Sequence, residues 1–246
     1  MSSLALAHTR YLLLEQVRVP IGLIAGALFP AISMVAFVVP FAGQDPRAAT
    51  MATGSLMFFG AMSGALIGLS ITVAQDREQP WSPYLRTLPA GPAAHFTGRI
   101  LATLVTTVTS AVPVLVVGAL FTEATFTAPQ LLAGLGVLVA GTVPFMLLGL
   151  LIGYLTAAKG AIAVSQILFF PLAILGGLLL PPAILPDFIQ VVSPFTPTRG
   201  VAELLWAVMA QTTPDPVALV SLAVWTVLAA LAAGWAYRRD EGRRFS

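Results

Sequence analysis

Residues 48–78 read AATMATGSLMFFGAMSGALIGLSITVAQDRE, and the whole stretch Ala48–Gln75 carries no charged side chain before Asp76-Arg77-Glu78 closes it. A bilayer hydrocarbon core is about 30 Å thick and takes roughly 20 apolar residues to cross as a helix. This run is long enough to cross with tilt to spare, so it reads as a membrane-spanning helix. Within it Gly60, Gly64 and Gly68 repeat at four-residue spacing. That spacing puts small residues on one helix face, where another backbone can approach closely, either inside the bundle or across a subunit interface.

Outward from this run the same criterion finds five more uncharged stretches: Val19–Phe41 before it, then Ile100–Thr122, a span within Ala124–Ala158, Gly160–Pro181 and Val217–Tyr237. The expected fold is therefore an all-α membrane protein with six transmembrane helices. Gly22 and Gly26 in the first run, and Gly149 and Gly153 in the fourth, repeat the small-residue spacing. Polar breaks separate the runs at Gln44–Arg47, Thr122-Glu123 and Lys159-Gly160, with longer interruptions at 76–99 and 181–216. Composition agrees, because 58% hydrophobic and 9% charged residues with a mean hydropathy of +0.93 leave too little charge to solvate a water-exposed surface. The first run is too long for a cleaved signal peptide and lacks a small-residue cleavage site, so it is expected to remain as a span.

Orientation follows from the arginines, since basic residues near span ends stay in the cytoplasm. With N- and C-termini both cytoplasmic, Arg10, Arg18, Arg77, Arg86, Arg99, Lys159 and the Arg238–Arg244 cluster lie inside, leaving only Arg47 and Arg199 outside. Eleven arginines and one lysine against ten acids give the net charge of +2, which marks juxtamembrane positions and gives no sign of a nucleic-acid surface. The preference for arginine and alanine suggests a high-GC bacterial genome, and so a multi-pass protein of the bacterial plasma membrane.

What the spans lack bears on mechanism. No Asp, Glu, Lys or Arg lies near the middle of any run, whereas ion-coupled pumps usually carry an intramembrane ionisable relay. Gln166, beside Ser165, is the most polar candidate for a buried position inside a span; it either bridges two helices or touches a transported molecule. Pro113, Pro144 and Pro171 fall within spans and permit kinks. The chain has no cysteine, and its two histidines, His8 and His95, are far apart, so disulfide and metal chemistry have no basis. Its single lysine sits in Ala157-Ala158-Lys159-Gly160, outside any Gly-Lys-Ser/Thr phosphate loop, so the chain is expected to be neither an ATPase nor a membrane enzyme. Energy must then come from a partner.

Two segments carry a resemblance. Asp76-Arg77-Glu78, Leu85, Pro89 and Gly98-Arg99 resemble the signature between the second and third spans of the ABC-2-type permease family, with Pro80, Trp81 and Pro83 replacing its usual Gly, Thr and Glu. Near the last span Gly177–Pro181, Leu185-Pro186-Asp187-Phe188-Ile189-Gln190, Ser193, Pro197 and Glu203 follow the family's Gly-x3-Pro, Leu-Pro-x-aromatic-hydrophobic-Gln, Ser, Asn-Pro and Glu pattern, with Thr196 in place of Asn and Trp206 in place of Arg. With the span layout, the resemblance covers nearly the whole chain, 1–246, as a single transmembrane domain.

The resemblance implies that residues 76–99 form a cytoplasmic coupling segment seated in an ATP-binding cassette ATPase subunit, with Asp76, Arg77, Glu78 and Arg86 as contacts. ATP and Mg would be bound by that partner and no cofactor by this chain. It also implies an outer re-entrant segment at 181–212, with Pro181, Pro186, Phe188, Pro197 and Glu203 at the gate. The residues themselves agree in part: 181–197 is too proline-rich for a continuous span, and Val201, Leu204, Leu205, Val208 and Met209 recur at helical spacing in an amphipathic helix. Residues 1–18 read as an imperfect amphipathic helix along the inner membrane surface. The expected function is ATP-driven alternating-access export of a hydrophobic or amphipathic drug or lipid, with a second permease chain, identical or related, in contact with membrane lipid. A gradient-driven transporter and a non-transporting scaffold are the alternatives.

Overall fold

The computed structural model describes residues 2–18, 21–80, 92–180 and 184–243, and every regular element among them is helical. In chain order these are α1 (Ser2–Arg18), α2 (Ile21–Ser33), α3 (Val39–Ala42), α4 (Pro46–Ser63), α5 (Leu69–Glu78), α6 (Pro92–Phe121), α7 (Ala128–Gly141), α8 (Val143–Leu155), α9 (Ala158–Leu175), α10 (Asp187–Val192), α11 (Pro197–Met209) and α12 (Pro216–Arg243). Wide π turns at Met34–Val38 and Gly64–Gly68 join α2 to α3 and α4 to α5. Among the described residues five runs are long and apolar enough to cross a membrane: Pro46–Glu78, Thr97–Phe121, Ala128–Leu155, Ala158–Leu175 and Pro216–Asp240. Gly26–Ala42, which overlaps the expected first span Val19–Phe41, is apolar but shorter.

The Pro46–Glu78 run is the axis of the bundle. In its most apolar stretch 67% of residues are buried, against 22% for Ala158–Leu175 and 17% for Pro216–Asp240, whose side chains face outward. Phe58 packs edge-on against Phe145, with centroids 5.5 Å apart, and Phe59 against Phe169 at 4.8 Å. Aromatic rings prefer this edge-to-face geometry because the positive ring edge meets a negative face. The Ala128–Leu155 run docks on the axis through Gly149 and Gly153. A Cβ at Gly149 would lie 2.6 Å from the Ala65 carbonyl oxygen, and one at Gly153 would lie 2.9 Å from that of Ser70. Backbone-to-backbone packing of this closeness leaves no room for a side chain. The axis glycines behave differently from one another: Gly60 packs against Pro30, whereas Gly64 and Gly68 face open space.

Span ends follow local chemistry. Asp45 caps α4 by accepting from the Arg47 and Ala48 amides. Thr127 and Gln130 form a reciprocal capping box at the start of α7, which satisfies two otherwise unpaired backbone donors. The Ala128–Leu155 run breaks at Thr142, two residues before Pro144, whose ring has no N–H to continue the ladder.

Two expected boundaries move. The break before Ala158–Leu175, the run expected as the fifth span, falls at Thr156-Ala157, so Lys159 lies in the first turn of α9. That span also ends at Leu175, well before Pro181. The Gly177 amide donates to Ile174 and the Leu178 amide to Ala173, with Gly177 at φ 71°. This left-handed stop is favourable only for glycine and satisfies the last carbonyls of the helix. The amphipathic helix expected near the last span is α11, and it is largely buried, with Val201, Leu205, Trp206 and Met209 inserted among α4, α7 and α12.

Candidate functional site

The charged triplet at the end of α5 sits where four other spans meet. Successive residues on a helix project about 100° apart, so Asp76, Arg77 and Glu78 reach in three directions. Asp76 pairs with Arg99 of α6. Arg77 spans the gap between two helices: Nε and Nη2 donate to Asp240 Oδ1 of α12 at 3.0 and 2.6 Å, while Nη1 donates to the carbonyls of Gly153 and Thr156 at 2.8 and 3.1 Å. Its guanidinium also lies 5.9 Å from the centre of the Tyr154 ring, which packs edge-on against Tyr237. Glu78 Oε1 accepts the Ala158 amide at 2.9 Å.

These bonds match the dipoles of the helices they touch. The Gly153 and Thr156 carbonyls lie at the C-terminal end of α8, where partial negative charge accumulates and a cation is stabilising. The Ala158 amide opens α9, where Ala157 offers no capping side chain and an anion is stabilising. Adjacent residues of opposite charge thus satisfy opposite helix ends across one two-residue corner. Asp240 is only 6% exposed and Arg77 23%, whereas Asp76 is 61% exposed. Of the four residues expected to contact an ATPase, Arg77 and Glu78 are engaged by their own chain, Asp76 is paired yet accessible, and Arg86 lies outside the described residues.

Gln166 does not occupy the buried position expected of it. Its neighbour Ser165 is buried, donating to the Ile162 carbonyl at 3.1 Å, and Gln166 is exposed. It lines a lateral groove between Gly26–Ala42, Pro46–Glu78 and Ala158–Leu175, together with Phe29, Phe59, Ile67, Phe169, Phe170, Gly26 and Ser63. This placement makes Gln166 neither a helix bridge nor a buried polar site. With the Ser63 hydroxyl it is one of two polar side chains in a mainly apolar trough.

At the opposite end α11 carries an ion pair of its own. Arg199 Nη2 pairs with Glu203 Oε1 one turn on at 2.6 Å, and Glu203 Oε2 accepts the Asp215 amide at 3.4 Å. The Arg199 guanidinium lies 4.7 Å above the Trp206 ring, and the Trp206 indole donates to Ser55 Oγ of the axis at 2.9 Å. Pro197 is buried at the start of α11, behind the Thr196 cap. Pro186 precedes α10 and its carbonyl accepts from Ile189 and Gln190, while Phe188 is 70% exposed and Pro181 lies outside the described residues. The sequence reading missed Arg199 and Asp240 as partners. The i,i+4 spacing of Arg199 and Glu203 was a usable signal; nothing local marks Asp240.

A family model described as ABC-2 type transporter matches residues 4–210, which include α11 and its Glu203 as well as the charged triplet. The chain belongs to the ABC-2 type transporter family. The Bacillus subtilis (strain 168) protein named "Putative transport permease YvfS" is 24% identical to this ABC-2 chain over 188 residues, covering 76% of each. As a member of the family it is a multi-pass transporter permease, a membrane subunit that is not itself catalytic, consistent with a bacterial plasma membrane.

Proposed function

We propose that this ABC-2 permease exports a hydrophobic or amphipathic molecule, such as a drug or lipid, powered by a separate ATP-binding cassette subunit on its cytoplasmic face. The observation that carries the reading is where charge sits. Ionisable residues in the five spanning runs are confined to their ends, with Asp76-Arg77-Glu78 leading directly into the segment that continues to Arg99. Spans without an internal ionisable relay offer no route for coupling to an ion gradient, which favours work delivered from outside the membrane. Asp76, accessible at the base of the 76–99 segment, and Arg86 within it are the contacts we assign to the ATPase, whose bound ATP and Mg supply the energy.

In this reading the helical run 21–42 completes six spans, both termini are cytoplasmic, and the segment 181–212 closes the outer mouth. Two permease chains face each other across the groove of Gln166, Phe29 and Phe169. The open faces of Gly64 and Gly68 near that groove suit close approach by a second helix. A mainly apolar trough with one amide and one hydroxyl favours a cargo that is greasy with a few hydrogen-bonding groups over a strongly charged one.

The test is affinity purification from native membranes in mild detergent, with mass spectrometry of whatever accompanies the chain. A stoichiometric ATPase subunit is expected, and the recovered permeases report whether the pair is identical or related. Reproducible recovery of the folded chain without an ATPase would overturn the reading in favour of a gradient-driven transporter or a scaffold.

A further inference from the structure

We propose that Arg77 and Glu78 form a charge-matched clamp on the corner between the fourth and fifth spans, and that Asp240 is the positioning residue that ties the last span into the same unit. Motion of the 76–99 segment is thereby delivered to spans four, five and six together. This rests on the coupling role proposed above for that segment.

The Thr156-Ala157 corner exposes the carbonyl end of one helix beside the amide end of the next, two sites of opposite partial charge a few ångströms apart. Arg77 occupies the first and Glu78 the second. A positive then a negative residue is the order that fits, because the reverse would place a carboxylate against carbonyl oxygens and a guanidinium against an amide proton. Arg77 is already spent on two helices: its Nη1 serves the α8 end, and its Nε and Nη2 share one oxygen of Asp240. The fork shape of guanidinium permits this double engagement, which a lysine ammonium would make without the planar match. Beside it, Tyr154 and Tyr237 pack the fourth span against the last, and the α8–α12 contact is the most extensive between any two helices described. The segment that leaves after Glu78 therefore cannot move Arg77 and Glu78 without pulling on the ends of three spans.

The test uses the complete complex in nanodiscs. The chain has no cysteine, so spin labels can be placed at Gln75→Cys with Arg238→Cys near the clamp, and at Gln44→Cys with Thr213→Cys at the far end; all four positions are exposed. Labelled chain is diluted with unlabelled chain so that only distances within one chain are read. Without nucleotide, the 75–238 distribution should be narrow, Asp240→Asn should broaden it, and Asp240→Glu should restore it. With ATP and vanadate, the 75–238 distance should hold while the 44–213 distance changes, and Asp240→Asn should abolish that far-end change while nucleotide is still trapped. Arg77→Lys should behave as Asp240→Asn and serves as the second variant if the asparagine protein does not fold. A 75–238 distribution that Asp240→Asn and Arg77→Lys both leave unaltered would overturn the clamp, as would far-end motion preserved in both. Absence of any nucleotide effect in the unsubstituted complex would instead count against the ATPase reading, and the nucleotide-free widths would still decide the clamp.

Discussion

The two ends of the bundle hold charge in opposite ways. At the Arg77 end, ion pairs and charged caps run between helices, linking α5 to α6, α8, α9 and α12. At the Glu203 end, the ion pair stays within α11, and α11 is joined to its neighbours by packing, the Trp206–Ser55 bond, the Gln130–Met209 bond and a long bond of 3.4 Å from the Asp215 amide to Glu203. An interhelical bond transmits displacement from one helix to another, whereas an intrahelical pair stiffens one helix and leaves its neighbours free to slide. The first end ties several helices together through charge, and the second holds its helix mainly by packing and neutral hydrogen bonds.

Substitutions can break this contrast at several strengths. The largest loss is expected from Arg77→Ala, which strands the nearly buried Asp240 carboxylate; removing one partner of a buried pair costs about 3 kcal/mol or more, and the unfolding midpoint in detergent should fall accordingly. A midpoint equal to that of Asp76→Ala would erase the distinction between the buried and exposed pairs. Gly149→Leu should cost about 2–3 kcal/mol by overpacking against the Ala65 carbonyl, read as loss of monodisperse protein after mild heating. This checks that packing matters as much as charge near the axis.

Glu203→Gln should be milder, about 1.5 kcal/mol in chemical denaturation, because Arg199 keeps its seat over Trp206 and an amide oxygen still accepts. A loss as large as that of Arg77→Ala would mean that the outer pair also binds helices together. Asp76→Ala should change stability least, by less than about 0.5 kcal/mol, since its carboxylate is mostly solvated. The same variant should nevertheless lower ATP-dependent export from membrane vesicles. Unchanged export would remove Asp76 from the coupling surface.

Much of the span layout was legible because it depends on one-dimensional facts: uninterrupted apolar length, charge at the edges, and proline or glycine at stops. The triplet Asp76-Arg77-Glu78 was equally visible as charge after a long apolar run. Its partners were not, because Asp240 lies 163 residues from Arg77 and looks like one acid in a basic tail. Gln166 misled for a different reason. In a helix apolar on every side, hydrophobic periodicity gives no signal about which face turns outward, so a polar residue there reads as buried until the packing is known. The stop at Gly176-Gly177 was hidden because leucines continue past it, and only the backbone geometry ends the helix.

The wide turns at Met34–Val38 and Gly64–Gly68 bear on how such a chain tolerates change in length. A π turn holds about one residue more than the α turn it replaces. Losing a residue between Gly60 and Asp76 can therefore be absorbed by closing that turn, with Gly60 still against Pro30 and Arg77 still at its carbonyls. The same deletion in Ala158–Leu175, where no wide turn is present, would swing the remainder of the helix by about 100°. Single-residue gaps among related sequences should accordingly gather at 34–38 and 64–68 and be scarce in the fifth span.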